Sequence, residues 1–210
     1  MSRPNEETVR ERQRRVTLSG GRWEEYVRLF LNEKLEGTNI EVIVGKNEQQ
    51  VKQRNLRLWK MLSMPMKSSI VEESVWGDID LVAVKGDVPI AVISCKTSLH
   101  GRLTETLFWS LLYRMLTRVK VVLATSDTGS GKSGELKSEW GSLENPGKNR
   151  LLAESFLDGV YVENVPEFCP ELTEPTVLGG IIRPLSELPQ DLIRWGEEAS
   201  KFIYVRKGFF

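Results

Sequence analysis

Residues 76–105 read WGDIDLVAVKGDVPIAVISCKTSLHGRLTE, and the other elements are arranged around them. Two alternating, β-rich runs, 79–84 and 89–94, are separated by a Lys-Gly-Asp turn at 85–87. Alternation with period two on both sides of a short, glycine-containing turn is typical of a β-hairpin. We therefore predict an antiparallel strand pair at this place in the chain.

Charged side chains stand at the ends of these two runs. Asp78 and Asp80 open the first strand, Lys96 closes the second, and the helix that follows carries Glu105 in its first turn. In an antiparallel pair the start of one strand meets the end of the other. Carboxylate oxygens hold Mg²⁺, and a lysine near the attacking water adds positive charge during phosphodiester hydrolysis. The hairpin therefore predicts a metal-dependent nuclease site.

The composition is that of a soluble globular protein with one sizeable core. The 210 residues are 40% hydrophobic and 28% charged, and no apolar run is long enough for a membrane span. The first 15 residues lack the apolar segment of a secretory signal, and the only cysteines are Cys95 and Cys169. We therefore expect a cytoplasmic protein with no membrane partner. Two cysteines and one histidine also argue against a structural zinc site.

Charge is distributed unevenly along a chain whose net charge is zero. Residues 1–60 carry 13 basic and 9 acidic side chains, and residues 81–150 carry 10 and 6. Residues 154–198 carry 2 basic and 10 acidic side chains. The first two thirds could face a polyanion while the last third faces away, but ordinary scatter explains the same numbers equally well.

The N-terminal part combines a basic arm with an amphipathic helix. Residues 1–19 are polar and arginine-rich, which fits either a frayed or helical arm or a clamp for phosphates. The helix is predicted after Gly20-Gly21, from about Arg22 to Leu35. At about 100° per residue, Glu24 falls inside its apolar arc and Glu25 on its wet face. A glutamate on the buried side of a helix needs a partner, so Glu24 is the functional candidate.

The rest of the chain alternates strands with helices. Strands are predicted over 40–44, 120–125, 159–163 and 181–185, and helices over 48–62, 105–116, 150–157 and 190–199. The helix after Glu105 is expected to face the core with Leu107, Phe108, Leu111, Leu112, Met115 and Leu116. No repeat or linker divides the chain. We therefore expect one nuclease domain, residues 1–210, of the α/β class: a mixed central β-sheet flanked by helices.

Two regions are candidates for contact with DNA. The helix over 48–62 carries Arg54 and Arg57 among glutamines and lysines, which suits phosphate and base contacts or an ordinary solvated face. The Gly/Ser-rich loop 126–149 carries Lys132 and Lys137, and long loops in compact domains are commonly functional.

The segment GSGKS at 129–133 is similar to a phosphate-binding loop but departs from its pattern. Ser126 stands where that loop needs its first glycine, and the loop should also open a helix. Gly134 and Trp140-Gly141 interrupt the residues that follow. We therefore expect no nucleotide cofactor.

Three pieces of the chain together resemble the PD-(D/E)xK nuclease superfamily and, within it, type II restriction endonucleases. They are GGRWE at 20–24, GDIDLV at 77–82 and ISCKTSLHGR at 93–102. In that family a helix glutamate, an aspartate opening one strand and an acid-x-lysine on the next strand converge on Mg²⁺. The resemblance therefore implies a site formed by three residues: Asp80 as shared metal ligand, Lys96 as catalytic lysine and Glu24 as helix carboxylate.

The middle acid of the acid-x-lysine motif is replaced by Ser94. A serine there resembles the restriction enzymes that cut CCGG-type sites, where a glutamate from a neighbouring helix substitutes. Glu105 and Glu24 are the two candidates. Glu105 lies at the rim of its helix's apolar arc and is expected to point toward the sheet. Its separation from Lys96 along the sequence is shorter than that substitution implies. Further candidate metal ligands are the carbonyl of Cys95 and the carboxylate of Asp78.

The resemblance implies a type II restriction endonuclease, which hydrolyses phosphodiester bonds in double-stranded DNA at a short, palindromic site with Mg²⁺. Cutting both strands of a palindrome takes two sites related by a twofold axis, so a homodimer is expected. Arg102 and His100, directly after the catalytic strand, are the expected DNA contacts. Two alternatives stay open: another nuclease of the same fold (nicking subunit, junction resolvase or repair nuclease), and a non-catalytic DNA-binding protein.

Overall fold

A six-stranded mixed sheet forms the centre of the fold. A computed structural model describes residues 9–97, 99, 103–126, 140–141, 145–163 and 181–201. The helices are α1 (Val9–Lys34), α2 (Glu48–Arg54), α3 (Leu56–Leu62), α4 (Leu103–Leu116), α5 (Lys148–Phe156) and α6 (Leu188–Lys201), with a 3₁₀ turn at Leu185–Glu187. The strands are β1 (Ile40–Val44), β2 (Met64–Lys67), β3 (Glu72–Val75), β4 (Leu81–Lys85), β5 (Val88–Lys96), β6 (Lys120–Thr125), β7 (Gly159–Val162) and β8 (Ile182–Pro184).

The strand order is β1-β4-β5-β6-β7-β8. The predicted hairpin is β4 and β5, which pair antiparallel with Leu81 opposite Ile93. Strand β1 is antiparallel to β4, while β5 to β8 run parallel to one another. The ends of β1, β5 and β6 and the start of β4 therefore meet at one edge of the sheet, which we call the site edge. The predicted α/β class with a mixed central sheet is confirmed.

Helices cover both faces of this sheet, and each face has its own apolar core. One core joins α1 and α6 to the sheet through Trp23, Val27, Leu31, Leu188, Leu192 and Trp195. The other core packs the four helices α2, α3, α4 and α5 against the opposite face. It includes Val51, Leu58, Leu62, Leu107, Tyr113 and Ala153. The strands between them are buried on both sides, which explains their continuous apolar runs.

Helix α1 begins at Val9, well before the predicted start near Arg22. Gly20 and Gly21 therefore lie inside the helix instead of opening it. Each glycine costs the helix roughly 1 kcal/mol relative to alanine. The residues before them include several arginines, a glutamate and a glutamine, which favour helix. The basic arm is helical from Val9 onward.

The predicted helix over 48–62 is two helices, α2 and α3. Asn55 separates them with φ −152° and ψ 89°, so the backbone leaves the helical region there. Its side chain accepts a 2.9 Å hydrogen bond from the backbone N–H of Leu58 and so caps α3. Apolar periodicity cannot detect such a break because α2 and α3 both bury their apolar residues in the same core. The strands β2 and β3, a separate antiparallel pair, were also not predicted.

The predicted inner face of α4 is correct for Leu107, which is buried, and for Leu112, which packs against the core, but wrong for the other four residues. Phe108, Leu111, Met115 and Leu116 are exposed, and the buried residues include Thr106, Ser110 and Tyr113. Polar groups on the inner face have partners: the Ser110 hydroxyl donates to the carbonyl of Phe156, and the Tyr113 hydroxyl donates to that of Leu62 at 3.1 Å. Buried hydrogen bonds, which hydrophobicity patterns do not register, thus set the rotation of this helix.

The later elements differ from prediction mainly at their ends. Helix α5 begins at Lys148 instead of Arg150, and α6 begins at Leu188 instead of Gln190. Within the predicted loop 126–149, Trp140 is fully buried and Gly141 forms a bridge with Pro146. Residues 127–139, with the GSGKS segment, lie outside the described part of the chain. Among the described helices, none has the length and apolarity to cross a membrane.

Candidate active site

Asp80 lies at the centre of the site edge, with its side chain 2% exposed. Its Oδ2 accepts a 2.7 Å hydrogen bond from the backbone N–H of Cys95 and a 3.1 Å bond from Nζ of Lys96. The hydroxyl of Ser94 also lies 3.4 Å from this oxygen. The antiparallel register of β4 and β5 produces the arrangement, because it places the residue before β4 beside the end of β5. The predicted Asp80–Lys96 pair is therefore present in the structure.

Lys96 is buried together with this carboxylate, since its side chain is only 10% exposed. Its ammonium also lies 3.6 Å from Oδ2 of Asp78, whose side chain is 38% exposed. Asp78 therefore sits at the solvent rim of the site and Asp80 at its base. The Lys96 ammonium is therefore held between one carboxylate at the rim of the site and one at its base.

Glu24 reaches the same edge from α1. The indole N–H of the neighbouring Trp23 donates a 3.1 Å hydrogen bond to the carbonyl of Ala124 in β6, which fixes the rotation of the helix. The Glu24 side chain is 15% exposed, whereas Glu25 faces solvent and pairs with Arg28. The helical count that placed Glu24 inside and Glu25 outside is confirmed.

Lys46 is a site residue that was not predicted. Its ammonium lies 2.5 Å from Oε1 of Glu24 and 3.4 Å from Oδ1 of Asp80. Burial lowers the pKa of Lys46, but its hydrogen bond with Glu24 and the charge of Asp80 outweigh burial, so the pKa is raised. Pairing of β1 with β4 could have revealed it. The register sets Val44 opposite Leu81, so Gly45 comes opposite Asp80 and Lys46 is the next residue along.

The backbone around Lys46 is well anchored. The N–H of Gly45 donates a 2.9 Å hydrogen bond to the carbonyl of Asp80, which extends the pairing of β1 and β4 by one residue. The indole N–H of Trp76 donates a 3.0 Å bond to the carbonyl of Gly45. The position at which the lysine side chain leaves the chain is therefore fixed, even though the side chain itself is half-exposed.

Ser94, in the position of the missing acid, is buried and faces α4 through Thr106. The two hydroxyl oxygens are 2.9 Å apart. Glu105, the residue next to Thr106, is exposed, so its expected orientation toward the sheet is wrong. The cause is the rotation of α4 described above. The role of Glu105 as substitute carboxylate stays a prediction.

Cys95 contributes its backbone to the site, while its side chain packs in the core on the α1 and α6 side. Burial raises the pKa of its thiol well above the usual value, with a further contribution from the charge of Asp80. The thiol is therefore held neutral and is unsuited as a ligand. The carbonyl oxygen remains the part of Cys95 that could serve a metal ion.

The donor set fits a hard divalent cation. Glu24 and Asp80 converge on one positively charged group, the ammonium of Lys46, so a cation position common to both carboxylates exists. Within the described residues, no three Asp, Glu, His or Cys side chains cluster closely enough to hold a metal unaided. Mg²⁺ is typically held by one or two carboxylates, with water and substrate phosphates completing its shell. Two convergent carboxylates therefore suffice.

The predicted DNA-contacting residues fall into two groups. Arg54 and Arg57 are exposed, and Arg54 makes a 3.0 Å ion pair with Glu41 near the start of β1, away from the site edge. His100, Arg102, Lys132 and Lys137 lie outside the described residues. The structure thus does not place Arg54 next to the carboxylates of Glu24 and Asp80.

Comparison with known proteins links the chain to one kind of enzyme. A family model described as "BsaWI restriction endonuclease type 2" matches residues 50–177. Among solved structures, the chain is similar to the crystal structure of a pre-specific restriction endonuclease BsaWI–DNA complex, with 17% identity and a TM-score of 0.48. The similarity covers 87% of this chain and 63% of that chain, so this chain spans less than two thirds of the length of the chain it matches. No curated protein matches the sequence.

Proposed function

Because the chain belongs to the BsaWI family of type 2 restriction endonucleases, we propose that it hydrolyses phosphodiester bonds in double-stranded DNA at a short specific site. The observation that carries this proposal is the buried Asp80 carboxylate, held by Lys96 on one side and joined to Glu24 on the other through the shared ammonium of Lys46. Carboxylates and a lysine at one sheet edge are the groups that metal-assisted phosphodiester hydrolysis needs. A palindromic recognition site is part of the proposal.

Restriction endonuclease families generally depend on a divalent metal ion, and Mg²⁺ is the ion proposed here because every candidate donor is an oxygen. Asp80 and Glu24 would hold it, with the carbonyl of Cys95 and the carboxylate of Asp78 as further donors. Bound Mg²⁺ would supply Lewis acidity toward the scissile phosphate and lower the pKa of a bound water.

The residues of the chain orient the reacting groups. The Cys95 N–H and the Lys96 ammonium fix Oδ2 of Asp80, so its Oδ1 is the oxygen that faces the ammonium of Lys46. The buried ammonium of Lys96 would stabilise the negative charge that develops on the attacked phosphate. Such preorganised charge acts strongly because the Lys96 and Asp80 side chains are shielded from solvent.

Of the two candidates for the missing acid, the geometry favours Glu24. The Ser94 hydroxyl is hydrogen-bonded with that of Thr106. Because a hydroxyl is neutral, it cannot replace the charge of a carboxylate. Glu24 is shielded and shares a cation with Asp80, whereas Glu105 is exposed. Metal binding by a helix carboxylate from α1 would thus complete the serine variant of the motif.

We propose that the working unit is a homodimer, since one chain carries one such site and a palindrome needs two. Helix α4 supports this with an exposed apolar stripe formed by Phe108, Leu111 and Met115. Contiguous apolar surface of this kind is characteristic of protein interfaces. DNA contact by His100, Arg102, Lys132 and Lys137 remains part of the proposal, as does a cytoplasmic location.

Digestion of a sequenced plasmid with the purified protein and Mg²⁺, followed by mapping of the ends, tests the function. Ends at one short sequence, on both strands, are expected. Single-strand nicks or cleavage confined to branched substrates would instead favour another nuclease of the same fold. Tight DNA binding without any cut on mixed genomic DNA would favour a non-catalytic binding protein.

A further inference from the structure

We propose that the ammonium of Lys46 occupies the cation position between Glu24 and Asp80 in the metal-free protein. It moves out into solvent when a divalent metal ion binds at that position. The inference rests on the proposed function in taking that place as the metal position. It assigns Lys46 a role opposite to that of Lys96, which stays in the site throughout.

The contacts of Asp80 divide its two oxygens between the two lysines. Oδ2 is committed to Lys96 and to the N–H of Cys95. Oδ1 faces the ammonium of Lys46 at 3.4 Å, and the same ammonium lies 2.5 Å from Oε1 of Glu24. The oxygens that a metal ion would need are therefore the ones that Lys46 now neutralises. The two cannot occupy one position together, because their like charges repel each other.

The two lysines differ in their freedom to move. The side chain of Lys46 is 49% exposed, and that of Lys96 is 10% exposed. A lysine has a flexible four-carbon stem, so Lys46 can turn its ammonium into water at low cost. Lys96 would have to break a buried contact with Asp80 to do so. Only Lys46 is built to exchange with an incoming ion.

Exchange of this kind has two linked consequences. Without metal, Lys46 relieves the repulsion between Glu24 and Asp80 and so stabilises the folded chain. With metal bound, that contact is absent whether or not the lysine is present. A neutral side chain at position 46 therefore destabilises the metal-free form and, by the same cycle, increases metal affinity.

Isothermal titration of the full chain with MgCl₂ or CaCl₂, in the absence of DNA, measures the effect. Lys46→Met should bind the ion more tightly than the wild type, by about tenfold, the size of a typical coupling between two sites. Lys34→Met is the matched control. Lys34 is also half-exposed, pairs with Glu33 at 3.1 Å and lies at the far end of α1. The Lys34→Met variant should therefore bind the metal ion with the affinity of the wild type.

Thermal unfolding in EDTA and in Mg²⁺ gives the second readout. Lys46→Met should melt below the wild type in EDTA and gain more on addition of Mg²⁺. Should Lys46→Met not fold, Lys46→Arg serves instead. Because it keeps the charge, it should bind metal no more tightly than the wild type.

Equal or weaker metal binding by Lys46→Met would overturn the inference, as would tighter binding by Lys46→Arg. Failure of all forms to bind a divalent ion at up to roughly the millimolar range of weak protein sites would also overturn it. The outcome is separable from that of the plasmid digestion. A chain that cuts no DNA but shows the affinity gain refutes the proposed function alone, and a chain that cuts without the gain refutes the role of Lys46 alone.

Discussion

The backbone N–H of Cys95 donates a 2.7 Å hydrogen bond to Oδ2 of the Asp80 carboxylate, across the two strands of the central hairpin. A hydrogen bond from a main-chain group cannot rotate away, so it locks the carboxylate in one orientation. The other oxygen thereby faces the ammonium of Lys46, which also contacts Glu24. The strand register thus fixes the direction from which a cation can approach, before any ligand is present.

Substitution of the two candidate glutamates separates their roles. Glu24→Gln should reduce cleavage by roughly a hundredfold or more, because a neutral amide neither holds a divalent ion nor stabilises its charge. Glu105→Gln should cleave within about threefold of the wild type, since exposed surface substitutions generally have small effects. Initial rates on a plasmid with a mapped site provide the comparison. A severe loss in Glu105→Gln with normal cleavage by Glu24→Gln would reverse the assignment.

Trp23→Phe tests how α1 is held against the sheet. Loss of the indole N–H removes its hydrogen bond to the carbonyl of Ala124, which should lower the free energy of unfolding by about 0.5–1.5 kcal/mol. Urea denaturation in EDTA measures this change. Because the same bond sets the position of Glu24, affinity for Mg²⁺ should also fall. Unchanged affinity in a destabilised variant would show that Glu24 is positioned by other contacts.

The thiol of Cys95 should resist alkylation in the native protein. Burial raises its pKa, and the reactive thiolate therefore forms in the folded chain only at a pH above its ordinary range. Because the unfolded chain ionises first, this group contributes stability that is present below about pH 8.5 and is lost as the pH rises beyond it. Peptide mapping after iodoacetamide treatment, with and without urea, monitors Cys95 apart from Cys169. Rapid native labelling at neutral pH would contradict its burial.

Thr106→Val tests the contact between α4 and β5. Valine keeps the shape of threonine but removes the hydroxyl that lies 2.9 Å from that of Ser94. Stability should fall by about 1 kcal/mol, and adding Ser94→Ala should cost less in this background than in the wild type. Urea denaturation of the four proteins of this cycle gives the coupling. Strict additivity would mean that the two hydroxyls do not interact.

The hairpin, the mixed sheet and the restriction endonuclease family could all be predicted from the sequence. Alternating strands around a Lys-Gly-Asp turn leave little choice of structure, and the acids and the lysine at the strand ends carry the family resemblance. The inward position of Glu24 followed from helical geometry alone, since the apolar arc of α1 is wide and regular.

Other features depended on tertiary contacts that no local pattern contains. Helix α4 presents Thr106, Ser110 and Tyr113 to the interior because each finds a hydrogen-bond partner there, so its leucines misled the assignment of its faces. Lys46 joins the site only through the pairing of β1 with β4, two strands that are distant in sequence.

Cleavage and binding by Asp80→Asn and Lys96→Met, side by side with the wild type, test the catalytic assignment most directly. Asparagine and methionine preserve much of the size of the buried side chains and remove their charge. Both variants should retain binding to a DNA fragment that contains the mapped site, measured by gel shift in Ca²⁺. Both should lose cleavage in Mg²⁺ by at least about a hundredfold. Full cleavage by either folded variant would contradict the assignment of Asp80 and Lys96 as the catalytic pair.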